Sequence, residues 1–187
     1  VASSLSQYYY ASQNRASYGN NMFLAGLDDN LLVSELDNYL VTLPYSSQQK
    51  NSYEAQKQSL RIADFVHMQV DHQWNNPNPM RSLVGFPVHR SSATVFSPMD
   101  LFGLAIKPFS VLLDFSKTIT DGDESLIALE KSLVFAGAPS MLVSLWPGDE
   151  KISQGFFRQY YSQLAYNSPQ QALQLAKQQM LQNGAAG

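Results

Sequence analysis

Two short apolar runs, SVLLDF at 110–115 and SMLVSLW at 140–146, flank one longer amphipathic segment, DESLIALEKSLVFAGA at 123–138. This order constrains the fold more than any other feature of the sequence. Runs this short and this rich in Leu and Val read as buried strands, whereas Leu126, Leu129, Leu133 and Ala136 recur at helical spacing up to Gly137, a residue suited to a helix stop. A helix between two strands supplies the long crossover that a parallel pair needs. The expected class is therefore α/β, with a mainly parallel sheet covered by helices.

The rest of the chain extends the pattern. NMFLAGL at 21–27 predicts a strand ending at Gly26, and LLVSELDNYL at 31–40 predicts a helix behind the caps Asp28, Asp29 and Asn30. VTLP is a strand candidate, NSYEAQKQSLRI at 51–62 a helix and ADFVHMQV at 63–70 a strand. HQWNNPNP follows at 72–79, and its prolines predict a loop. SLVGFPVH and ATVF form an expected β-hairpin around Arg90, Ser91 and Ser92. Ser97 before Pro98 is an N-cap signature for a helix over 97–106 that stops by Pro108. Beyond Asp149, Ile152, Phe156, Tyr160 and Leu164 recur every four residues. Ser168 and Gln171 have capping-box spacing for a final helix that turns Leu173, Ala176 and Met180 inward. Residues 1–21 show no period and include Tyr8, Tyr9 and Tyr10, so they are read as a linker or docking segment ahead of one domain at 22–187.

Composition removes several function classes. The chain has no cysteine, which excludes disulfides, thiolate metal sites and a cysteine nucleophile. Its 12 basic residues are scattered from Arg15 to Lys177 without a cluster, and the formal charge is -3, so neither nucleic acid nor an anionic membrane is the expected partner. No apolar run is long enough to span a bilayer, and no glycine-rich phosphate loop follows a strand, so no membrane span and no nucleotide cofactor are expected. Val1 is neither an initiator Met nor the start of a signal peptide, which suggests a piece of a longer protein or a processed form. With 14% charged residues, the polar surface must be largely uncharged; this leaves the compartment open, an extracytoplasmic one included.

Three motifs in the second half carry a resemblance. Ala136-Gly137-Ala138 closes a helix, Ser144-Leu145-Trp146-Pro147 ends a strand ahead of an acidic residue, and Ser168-Pro169-Gln170-Gln171-Ala172-Leu173 opens the last helix. In this order and at these distances they resemble the CHAT family, caspase-like domains often found behind helical repeats of the TPR kind in bacterial proteins. The resemblance runs from about Met22 to Leu181. It implies a caspase-like three-layer α/β/α sandwich with a small β-hairpin insertion, and peptidase-like chemistry built on a Cys/His dyad.

Neither half of that dyad is present. Aligned on His67, the family pattern H-x-A-T-H-G puts Asp71 where the general-base histidine belongs and His72 where the glycine belongs. Aligned on the strand SVLLDF, the pattern S-A-C-E-T-G puts Ser116 at the cysteine and Lys117, Thr118 and Ile119 after it. A serine hydroxyl is far less acidic than a thiol and needs an oriented base, for which a carboxylate of pKa near ~4 is poorly matched. His72 lies one residue further on, where a strand turns the side chain to the opposite face, so it could serve Ser116 only through a bulge. The same alternation separates His72 from His67 and Asp71, and with His89 these do not converge on a metal. Asp121-Gly122-Asp123 reads as a turn feeding a helix cap.

The sequence therefore points to an inactive CHAT-like pseudo-peptidase without cofactor or metal, acting as a binding or regulatory module. Its cleft is expected at His67, Asp71, His72, Ser116, Lys117 and Trp146, and its partner is a protein or peptide, an adjacent repeat domain of the same chain included. Two alternatives stand beside it: a serine-type hydrolase using Ser116 and His72, and a structural cap on a repeat array that docks through Tyr8-Tyr9-Tyr10.

Overall fold

The computed structural model describes residues 21–25, 41–42, 53–86, 94–106, 110–115, 124–144, 150–164 and 166–184. Along these the chain forms β1 (Asn21–Ala25), β2 (Val41–Thr42), α1 (Tyr53–Ile62), β3 (Phe65–Gln73), a 3-10 turn (Pro79–Arg81), β4 (Leu83–Phe86) and β5 (Thr94–Phe96). There follow α2 (Pro98–Phe102), β6 (Ser110–Phe115), α3 (Glu124–Ala136), β7 (Met141–Ser144), α4 (Glu150–Leu164) and α5 (Pro169–Gln182). The helix expected at 31–40 and the segment 1–20 lie outside the described residues. The chain divides into two compact units, residues 1–27 with 43–147 and residues 28–42 with 148–187.

The first unit is built on a parallel sheet. β3 pairs with β1 on one side and β6 on the other, and β6 pairs with β7, all in parallel. The β3–β6 register runs from Phe65 opposite Ser110 to Val70 opposite Phe115. This mixed α/β arrangement with a mostly parallel sheet agrees with the caspase-like α/β/α expectation.

β3 departs from the sequence reading at both ends. It begins at Phe65 and runs on through His72 and Gln73, where a loop was expected. The reason is β4, which returns antiparallel and pairs Asp71 with Gly85, His72 with Val84 and Gln73 with Leu83. The first proline comes only at Pro77, so nothing before it forbids the ladder. β4 in turn pairs antiparallel with β5, which is the expected hairpin.

One apolar core lies against this sheet. Val66, Met68 and Val70 of β3 and Val111, Leu113 and Phe115 of β6 pack with Leu129, Leu133 and Ala136 of α3 and with Leu101 of α2. α2 starts at a complete capping box: Ser97 Oγ accepts from the Asp100 backbone amide (3.2 Å), and the Asp100 carboxylate accepts from the Ser97 amide (2.8 Å). It is shorter than the sequence suggested and stops at Phe102 before Gly103. Past it, the Ile106 amide donates to the Ala136 carbonyl (2.8 Å) instead of continuing a helix.

Gly137 explains why the chain can be pinned there. Its φ is +121°, and a Cβ at this position would run into the Ile106 carbonyl oxygen. The Ala138 amide reaches back to the Leu133 carbonyl (3.0 Å), the six-to-one bond of a left-handed helix ending. The Ala136-Gly137-Ala138 motif thus stops α3 and lets it contact the segment leading into β6.

In the second unit α4 and α5 form a helical hairpin. α5 begins at the expected capping box, with Ser168 Oγ accepting from the Gln171 amide and the Gln171 side chain accepting from the Ser168 amide. Its most buried residues are Ala172 and Ala176, and Met180 reaches over Gly155 of α4. On α4 the buried set is Phe157, Tyr160, Tyr161 and Leu164, whereas Ile152 is exposed. A strict four-residue repeat drifts about 40° per step around a helix of 3.6 residues per turn, so the expected stripe could not stay on one face.

Candidate functional site at the carboxyl ends of the strands

β3 is the central strand of the parallel sheet, and its two faces carry different chemistry. On the first face the apolar series Val66, Met68 and Val70 continues into His72 and Trp74. The His72 ring stacks on Trp74, with centroids 4.3 Å apart, and meets Phe115 edge-on at 5.4 Å. Trp74 also contacts Phe115, at 5.9 Å. The loop that carries Trp74 is tied down by Ser82, fully buried, whose hydroxyl accepts from the Asn75 amide (2.9 Å), and by an Asn75–Asn78 turn. The indole Nε1 is buried and finds no acceptor among the described residues.

The second face bears His67, Gln69 and Asp71 on β3, Leu112 and Asp114 on β6, and Ser144 at the end of β7. The register sets Gln69 beside Asp114 and Asp114 beside Ser144, which makes a polar row across three strands. Ser144 hydrogen-bonds the Asp114 carboxyl group. Burial pushes this carboxyl above the usual range, and the Ser144 hydroxyl offsets part of that. His67 is completely buried, and desolvation lowers its pKa to about 3, so it is a neutral imidazole at any ordinary pH. Asp71 accepts a hydrogen bond from the His72 backbone amide (2.8 Å), a local contact that leaves its carboxylate half-buried near the strand end.

The predicted site residues are therefore distributed as follows. His67 and Asp71 share one face with Asp114, while His72 sits on the other with Phe115 and Trp74. Ser116, Lys117, Trp146 and His89 lie outside the described residues. Among the described residues no group of three or more His, Asp or Glu side chains could hold a metal ion, and no helix is long and apolar enough to cross a membrane.

Sequence reasoning missed Gln69, Asp114, Ser144 and Trp74. A signal for Asp114 was present: an acid inside an otherwise apolar run, SVLLDF, is costly to bury and marks a position with a polar neighbour. Gln69 and Ser144 carry no such signal, because only the strand register brings them to that carboxyl.

Comparison with known protein families gives one match over most of the chain: the family model described as CHAT domain covers residues 34–186. Among curated proteins none matches the chain.

Proposed function

The chain belongs to the CHAT domain family, and on that premise we propose that it is a pseudo-peptidase, a caspase-like scaffold that binds a protein or peptide at the carboxyl ends of its strands without cleaving it. One observation carries the reading. The imidazole that could replace the absent general base, His72, is committed to a stack with Trp74 and an edge contact with Phe115. His72 is thus held among aromatic rings on the core face of β3, and Asp71, on the other face, is a weak base toward an alcohol.

The polar row supports the binding half of the proposal. Gln69, Asp71, Asp114 and Ser144 offer half-buried donors and acceptors near the end of a parallel sheet, where ligands of open α/β folds are held. A peptide backbone, with alternating amides and carbonyls, matches such a surface. The partner is a protein or peptide, an adjacent repeat domain of the same protein included, and the role is regulatory recognition.

A fluorophosphonate probe tests the absence of chemistry. We expect no covalent labelling of the 187-residue chain under conditions where a control serine hydrolase reacts fully. Labelling that disappears in Ser116→Ala and in His72→Ala would overturn the proposal in favour of a serine hydrolase.

A further inference from the structure

A second surface lies apart from the strand ends, on the outer side of α3. Glu124, Ile127, Lys131 and Phe135 form an outward stripe and, with Met80 of the 3-10 turn and Phe102 of α2, line an open groove of about 480 Å³. The stripe is unusually apolar for solvent: Ile127, Phe135 and Phe102 are 45%, 50% and 47% exposed, and the two phenylalanine rings contact each other at 4.9 Å. A contiguous exposed apolar patch edged by charge is the mark of an interaction surface.

We propose that this surface joins two copies of the chain in a two-fold dimer, with the two α3 helices antiparallel and their outward stripes face to face. The charge pattern points to a second copy. An interface between identical chains must be complementary to itself. Glu124 and Lys131 stand seven residues apart on one stripe, with Ile127 and Ala128 between them. A two-fold axis through the Ile127–Ala128 midpoint sets Glu124 of each copy against Lys131 of the other, giving two ion pairs around an apolar centre. At seven residues' separation the two charges are too far apart along the helix to satisfy each other within one chain.

Sedimentation equilibrium of the full chain at about 10–100 μM should show a reversible monomer–dimer exchange. Glu124→Lys replaces two attractive pairs with two repulsive ones and should weaken dimerisation about tenfold or more, as should Lys131→Glu. The double exchange Glu124→Lys/Lys131→Glu should restore it to within about threefold of wild type. Ile127→Arg, with an unchanged circular dichroism spectrum, should leave a monomer. A monomer at every concentration overturns the proposal and leaves the groove to a different partner. Single variants that dimerise normally, or a double variant that fails to recover, overturn the antiparallel arrangement. Fluorophosphonate reactivity does not enter this test, so it stands independently of the strand-end reading.

Discussion

The two faces of the parallel sheet are made from the same strands, residue by residue in alternation, yet they serve opposite ends. One face, from Val66 to Phe115, is an apolar core closed by α3, and even His72 enters it as an aromatic ring. The other carries a fully buried neutral histidine, a carboxyl whose ionisation is resisted, and a row of half-buried hydrogen-bonding groups. The first face stabilises the fold through burial. The second works against stability at Asp114, whose carboxylate is better solvated in water, and at His67 once the pH drops below the ordinary imidazole pKa of about 6.5.

The sharpest way to break the contrast is to truncate the apolar face. Phe115→Ala removes a ring buried against the core and against His72 and Trp74, and should cost about 3–5 kcal/mol in denaturant unfolding. A loss below about 1 kcal/mol would mean that this face is not the core of the fold.

The polar face should instead show itself through pH. The native His67 pKa, about 3, lies below the ordinary unfolded value near 6.5, so the unfolded chain takes up a proton that the native chain refuses. Stability therefore falls as pH drops through this window, by on the order of 3 kcal/mol between about pH 6.5 and 4. His67→Gln should flatten that limb by one proton, whatever its effect at neutral pH. An acid limb of unchanged slope would remove His67 as its origin.

Asp114 has the opposite sign and the smallest effect. Its carboxyl holds a proton more tightly in the native chain than in the unfolded one, so stability declines as pH rises through the raised pKa. Asp114→Asn keeps an acceptor for Ser144 and removes the charge. We expect the variant to melt about 1–2 °C above wild type at about pH 7 and to match it near about pH 3. If the same substitution also weakens partner binding, the carboxylate serves recognition at the expense of stability.

Much of this architecture was legible in the residue order. The strand–helix–strand order of 110–144, the capping signatures at Ser97 and Ser168 and the helix stop at Gly137 all rest on local chemistry: turn preferences, side-chain caps and the period of apolar residues. Each could be read because its physical cause lies within a few residues. The end of β3 could not. Asp71, His72 and Gln69 acquired their surroundings from β4 and β6, which strand pairing brings alongside, and from the way the following residues fold Trp74 back over His72.

Amino-acid identity alone therefore settled which chemistry is missing here, since no arrangement of this chain can supply a thiolate. Only tertiary structure decided which way the His72 imidazole turns and which polar groups meet at Asp114. Strand register and the face of a side chain are set by long-range pairing, and a shift of one residue in that pairing would exchange the two faces of the sheet.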